Sequence, residues 1–346
     1  MQAGAILIVG AESGRTAEQL PPSSAASVSD QPLGLLDEPL ACLEILGRTT
    51  VERMLERFLR EDLAVVSVLV DASVSHLVST GKPEWKSDKL NCQVVDDVWS
   101  AVAKTLKEYS DGGIHHAVVA TASAYVECDL PDLLQFHRER RHGVTRGFDS
   151  LGALEFWVAD TARADEVGLA FLSPQAEASG ASFYFVKPYV NRLATPTHLR
   201  HFVTDVLRGR CEARPAGQEI RPGVWVDDGA QLHRRARIVA PAYIGRGSRI
   251  REDTLITRCS NIESFCCVDY GTVIEDSSIL ANSYVGIWLD VAHALVRGNK
   301  LLNLERNVLL EFSDTSLVRE NTAASKGPKR EYALPVTAGP FAFASE

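Results

Sequence analysis

The sequence has no excess of positive charge. Lys and Arg total 36 against 45 Asp and Glu, giving a formal net charge of -9. A generally basic nucleic-acid surface is therefore not expected. The one basic cluster, Arg234, Arg235, Arg237, Arg246, Arg249 and Arg251, reads as a solvated face. No apolar run approaches the roughly 18 residues that a spanning helix needs, so no membrane contact is expected. No basic stretch precedes Ala5-Ile6-Leu7-Ile8-Val9, which argues against a signal peptide. Cysteines at 42, 92, 128, 211, 259, 266 and 267 follow no zinc-ligand spacing. They read as reduced thiols of a cytoplasmic protein. After residue 201 only His233 and His293 occur, too few imidazoles for a three-His metal site. His115 and His116 alternate along an expected strand, so their rings are expected to face opposite ways.

What is present is ordinary globular material, 45% hydrophobic and 23% charged, long enough for two cores. Its clearest signal is a period of six: Val226, Leu232, Ile238, Ile244, Ile250, Ile256, Ile262, Val268, Ile274 and Leu280. Four positions after each of the first nine anchors stands a small residue, from Ala230 and Ala236 to Thr272 and Ser278. A helix repeats near 3.6 residues and a lone strand near 2, so neither explains the pattern. Short strands joined by tight corners do, each strand supplying one inward anchor to a core shared by stacked units. Residues 18 apart then stack: Ile238 over Ile256 over Ile274, and Ile244 over Ile262 over Leu280. Gly286 breaks the phase, so 286–295 reads as a bulged coil or excursion and 296–319 as further, less regular coils. The segment 321–346 reads as a tail.

The first half reads as α/β. Residues 3–9 form a buried strand, and 17–34 a long loop. A helix begins at Thr49, with Glu52 completing a capping box. Further strands are expected at 64–70, 117–120, 154–158 and 182–186. Helices are expected at 97–109, from Pro131 to about 140, and at 199–207. This alternation predicts a mainly parallel sheet covered on both faces.

The period-six run resembles the hexapeptide-repeat left-handed parallel β-helix. An α/β domain followed by such a coil resembles the sugar-phosphate nucleotidyltransferases, which join a nucleoside triphosphate to a sugar 1-phosphate. The resemblance implies a Rossmann-like nucleotidyltransferase domain at 1–215 and the β-helix at 216–320. Its N-terminal motif is Val9-Gly10-Ala11-Glu12-Ser13-Gly14-Arg15, where the family has a Gly-rich loop ending in Arg. Gly10, Ala11, Ser13, Gly14 and Arg15 are thereby implied as nucleotide-binding, with Arg15 a catalytic phosphate contact. The same comparison places Leu40 where the family has a phosphate-neutralising Lys, and Ser123 where an Asp holds Mg²⁺. Asp227, in Trp225-Val226-Asp227-Asp228-Gly229, resembles a second metal carboxylate.

These departures imply a catalytically impaired sugar-nucleotide pyrophosphorylase-like protein. One well-placed charge-stabilising donor is worth roughly 3–4 kcal/mol. Such a protein still binds a nucleotide or sugar phosphate, or serves as partner subunit to an active paralogue; Mg²⁺ is implied only if activity survives. Three other expectations stand beside it. One is an active nucleotidyltransferase with altered residues. Another is a hexapeptide acyltransferase using acyl-CoA with His293 as catalytic base. The third is an assembly protein whose flat coil walls form a homo-oligomer, dimer or trimer. Glu155 and Asp160 are candidates for a sugar pocket.

Overall fold

The computed structural model describes residues 2–10, 39–77, 87–163 and 182–322. The described residues fall into two compact units, one of 2–10 and 51–192, the other of 39–50 and 193–322.

The first unit is built on a seven-stranded mixed sheet of order β3-β2-β1-β4-β7-β6-β8. These strands are β1 Ala3–Val9, β2 Val65–Asp71, β3 Leu90–Val95, β4 His116–Thr121, β6 Val144–Asp149, β7 Gly152–Asp160 and β8 Ser182–Phe185. A short pair, β5 Tyr125–Glu127 and β9 Tyr189–Asn191, stands apart from it. Strands β3, β2, β1 and β4 run parallel, whereas β7 is antiparallel to both β4 and β6. Every residue of β1 is buried, as a continuous apolar run requires of a strand with both faces covered. Helix α1 spans Thr50–Arg60, α2 Val98–Asp111 and α3 Leu130–Arg140.

Helix α2 starts where Asp97 accepts from the N–H groups of Trp99 and Ser100. Its Val98, Val102, Leu106 and Tyr109 pack on Ile6, Ile8, Leu69, Ala117 and Val119. Burying each such aliphatic side chain stabilises the unit by about 1.5–3 kcal/mol. The Tyr109 hydroxyl crosses this core to donate to the Ala5 carbonyl at 2.9 Å.

The second unit contains helix α4, Pro196–Leu207, and many short strands. From Val224 the chain visits three sheets in turn, pairing parallel with itself on each return. Ile238, Ile256 and Ile274 align in register as expected. The second expected column is corrected at its last member, because Ile262 pairs with Ile279 and not Leu280. One residue is missing from the corner between Ile274 and Ile279, so the return shortens from 18 to 17 positions. Later pairs keep the shorter return: Cys267 with Tyr284, Val273 with Asp290, Ser278 with Leu295.

The small corner residues have a polar task beyond fitting the corner. The Ser248 hydroxyl donates to the Glu263 carbonyl at 2.6 Å and accepts from the Cys266 N–H at 3.0 Å. Thr272 and Ser277 likewise accept from Leu289 and Ala294 of the next coil. Each hydroxyl satisfies buried backbone groups that a methyl would leave unpaired.

The region after 286 also differs from expectation. Residues 290–292 and 294–297 are regular coil strands rather than an excursion. The chain then folds back as an antiparallel meander, Ala294–Arg297, Lys300–Asn303 and Val308–Glu311. Val318–Glu320 closes antiparallel on Ser283–Val285. The returning six-residue spacing of Val296, Leu302 and Val308 thus spans a meander, not further coils. Among the described residues no helix is long and apolar enough to cross a membrane.

Candidate functional site

In the first unit the strand order reverses direction at β1. The chain runs from β1 outward to β2 and β3, then returns to place β4 on the other side. In open α/β sheets such a switch point leaves a crevice at the carboxyl ends of the two strands. Ile8 aligns with Thr121, and the Ala122 N–H donates to the Ile8 carbonyl at 2.8 Å. Gly10 and Ser123, two positions that the family resemblance assigns to phosphate and metal handling, thus both follow strands that end at the same edge of the sheet.

Gly10 has φ +89, and a Cβ there would lie 2.1 Å from Cγ2 of Val74. Its lack of a side chain is thus required by the turn after β2, whatever else the loop does. Ala11, Ser13, Gly14 and Arg15 lie outside the described residues.

The side chains at the end of β4 form a small network. Thr121 Oγ1 and Ser123 Oγ are 2.5 Å apart, and Thr121 donates to Glu155 Oε2 at 3.1 Å. Thr121 is buried, Glu155 half-buried and Ser123 exposed. Glu155 comes from β7, next to the Ala120–Phe156 pair. Asp160, its companion candidate, pairs with His116 at the opposite end of β4 and so lies away from the crevice.

The network supplies one carboxylate and two hydroxyls, already hydrogen-bonded among themselves. Mg²⁺ demands near-octahedral oxygen coordination, usually anchored by carboxylates. Among the described residues no group of three His, Cys, Asp or Glu side chains could hold a metal ion. These side chains do not make a Mg²⁺ centre on their own.

The other expected site residues fall in the second unit. Leu40 lies in a short 3-10 turn, Leu40–Cys42. Asp227 closes a coil corner: its Oδ1 accepts from the Asp228 N–H at 2.8 Å, and its Oδ2 faces the Tyr243 hydroxyl at 3.4 Å. Its backbone N–H donates to the Ile244 carbonyl of the next coil.

His293 also sits at a coil corner, with φ +51. Its Nδ1 is 2.8 Å from Oδ2 of Asp276. The other Asp276 oxygen accepts from Arg200 at 2.8 Å. Arg200, on α4 and only 5% exposed, further donates to Asn261, Ser278 and the Cys259 carbonyl. Desolvation pushes Asp276 up, but the hydrogen bond and charge of Arg200, with the His293 contact, hold it below the ordinary carboxylate value. This Arg–Asp–His chain was not legible at an 18-residue repeat, because Asp276 and His293 are 17 apart. The missing corner residue sets that separation, and the pairing of Glu275 with Ala292 stacks them.

Two further polar clusters also join residues far apart in sequence. His116 and His137 pack edge to face at 5.3 Å, and His137 Nδ1 lies 2.7 Å from the Thr145 hydroxyl. Burial, reinforced by the neighbouring His116, lowers His137 to about 4. In the second unit the fully buried Glu263 accepts from Leu46 N–H at 2.7 Å, Gly47 N–H at 3.1 Å and Asn261 at 2.5 Å. Burial, with the nearby Glu44 charge, raises Glu263 to about 8 against the lowering effect of those donors.

No family model matches this chain, and neither does any curated protein.

Proposed function

We propose that the chain is a sugar-nucleotide pyrophosphorylase-like protein with impaired phosphoryl transfer, binding a nucleotide at the switch-point crevice of its first unit. In this reading that unit is a Rossmann-like nucleotidyltransferase domain, and the three-sheet stack is a hexapeptide left-handed β-helix. The chain then works as a binding or partner subunit, with itself or with an active paralogue. The observation that carries the reading is the Thr121–Ser123–Glu155 network at the end of the sheet where β1 leads into Gly10. A carboxylate next to free hydroxyl capacity suits ribose or sugar hydroxyls, which both donate and accept. It does not suit a triphosphate, whose charge needs cations.

The chemistry assigned to each residue follows. Glu155 accepts from a ribose hydroxyl, with Thr121 fixing its orientation. Ser123 is exposed and offers a hydroxyl at the mouth. The backbone at Gly10 bounds the crevice.

Calorimetry with nucleosides and nucleoside monophosphates, paired with a pyrophosphate-release assay over nucleoside triphosphates and sugar 1-phosphates, tests this. Binding is expected, weakened about tenfold or more in Glu155→Gln, because a hydrogen bond to a charged group is worth about 1.5–3 kcal/mol. Turnover above about 1 per second, an ordinary enzymatic rate, would overturn the impaired reading. Absence of nucleotide binding at millimolar concentration would overturn the binding reading.

A further inference from the structure

We propose that the second unit carries a separate site for a phosphate monoester bearing free hydroxyls, in the cleft beside His293. The cleft encloses about 500 Å³ and is lined by Thr204 and Arg208 near the end of α4, and by Thr257, Arg258, Asp276 and His293 of the coil corners. Its volume lies in the range of small-molecule sites, roughly 300–1,000 Å³.

The charges in the cleft pair off unevenly. Arg200 neutralises Asp276 at 2.8 Å, and Arg258 is bound to Glu275 at 2.7 Å. Arg208 lines the cleft in addition and is exposed. With each carboxylate matched, one guanidinium is left over, and guanidinium groups take phosphate oxygens in a bidentate fork. Arg258, 68% exposed, can turn toward a ligand because a solvent-exposed ion pair such as its own with Glu275 is weak.

His293 sets the second half of the specificity. Asp276 is an ionised carboxylate and only accepts, so His293 Nδ1 must carry the hydrogen between them. In the neutral ring Nε2 then presents a lone pair, an acceptor for an O–H. Near neutral pH inorganic phosphate carries its one or two O–H groups only on the oxygens around phosphorus, whereas a sugar or polyol phosphate offers several more at a distance from the phosphate. The buried Arg200 holds Asp276 in place, and Asp276 holds the ring, so His293 is oriented before any ligand arrives. Arg200 and Asp276 are therefore positioning residues.

Three coils contribute to this corner: Arg258 and Cys259 from one, Asp276 from the next and His293 from the third. The pairing of Glu275 with Ala292 brings Asp276 under His293, and the shortened corner sets their separation at 17 residues.

The test is calorimetric titration of the full chain with glucose 6-phosphate, inorganic phosphate and glucose. It is done in a Glu155→Gln background, so that the crevice of the first unit does not contribute. Glucose 6-phosphate is expected to bind more tightly than phosphate, and glucose not measurably. Arg208→Ser, an exposed change at the helix end, should weaken both phosphate ligands about tenfold or more. His293→Asn, which tolerates the positive φ, should weaken glucose 6-phosphate and leave inorganic phosphate unchanged. Unaltered melting of both variants separates loss of ligand contact from loss of fold. The proposal is overturned if glucose 6-phosphate does not bind at 10 mM, a concentration on the order of 10 times a weak millimolar Kd. It is equally overturned if Arg208→Ser binds like the parent, or if phosphate and glucose 6-phosphate lose affinity together in His293→Asn.

Discussion

The two units solve the same burial problem with opposite strand economies. In the sheet unit a single strand, β1, buries seven consecutive residues, and its neighbours β2 and β4 are nearly as dry. Each coil strand of the second unit is only two to three residues long through most of the stack and inserts one anchor. Its interior is thus a column of single aliphatic side chains, with buried hydroxyls closing the corners. The sheet unit buries polar groups too, among them Glu52, Arg53, Glu127 and Asp149, but its largest apolar cluster is crossed by only a few of them, such as the Tyr109 hydroxyl on Ser67. The coil unit repeats a buried hydroxyl at most corners from Ser248 to Ser277, and adds a buried glutamate, Glu263, in the coils and a buried arginine, Arg200, on the helix packed against them, at 0% and 5% exposure. The lesson is that short strands gain regularity but leave many corner N–H and C=O groups to be satisfied by side chains.

Removing a buried polar partner that serves several corners at once should hurt the coil unit severely. Arg200→Ala is expected to cost about 3–5 kcal/mol, since it strands Asp276, Asn261 and the Cys259 carbonyl together. Urea denaturation read by circular dichroism measures it; a cost below about 1 kcal/mol would show that these groups find water instead. Truncating a coil anchor comes next. Ile256→Ala opens a cavity touching the coils above and below and should cost about 2–5 kcal/mol. A comparably buried change in the sheet, Ile6→Ala, falls in the same range. If the coil variant cost far less, the columns would be looser than their burial indicates.

The two units should also respond to pH in opposite directions. Glu263 is raised to about 8 in the folded state, so its contribution is full below the unfolded carboxylate value and is lost as pH rises toward 8. A loss on the order of 2–4 kcal/mol is expected between pH 5 and 8. It should flatten in Glu263→Gln, which keeps an acceptor for Leu46 or Gly47. His137 works the other way. Its folded value of about 4 lies below the unfolded 6.5, so its contribution is complete above pH 6.5 and declines as pH falls toward 4. After allowance for solvent screening that loss is on the order of 1–2 kcal/mol. Thermal melts from pH 4 to 8 on the parent, Glu263→Gln and His137→Phe separate the two. Parallel pH profiles for all three proteins would remove both assignments.

Much of this architecture is written locally. The bounds of β1 follow from an unbroken apolar run, and α2 starts where Asp97 can cap it. The six-residue period announces the coil before any coordinates do. Local patterns failed where one residue changed the count. The 17-residue return moved Leu280 out of its column and put Ile279 there, because a corner can lose a residue without disturbing the anchors on either side. They failed again after Val296, where spacing alone does not distinguish a coil from a meander.

The candidate sites were less legible than the fold. Gly10 and Ser123 could be named from the resemblance, but Glu155 reaches Ser123's neighbour Thr121 only because β7 runs antiparallel beside β4. His293 could be singled out as one of two late histidines, yet nothing in the chain between 200 and 293 marks Arg200 and Asp276 as its supports. Leu46-Gly47-Arg48 stands in the chain just before α1, with nothing local to mark it as a binding loop. In the folded chain its two N–H groups clasp Glu263, more than two hundred positions away.

The order of elements, the repeat and most helix starts were determined by the sequence by itself. They depend on side-chain periodicity and on capping groups a few residues away. Which side chains share a site, and which protonation state each prefers, was decided only by the tertiary structure. Pairings such as Glu263 with Leu46 and Asp276 with Arg200 arise from chain crossings whose distances no local pattern encodes, and burial fixes their charge only once the crossings exist.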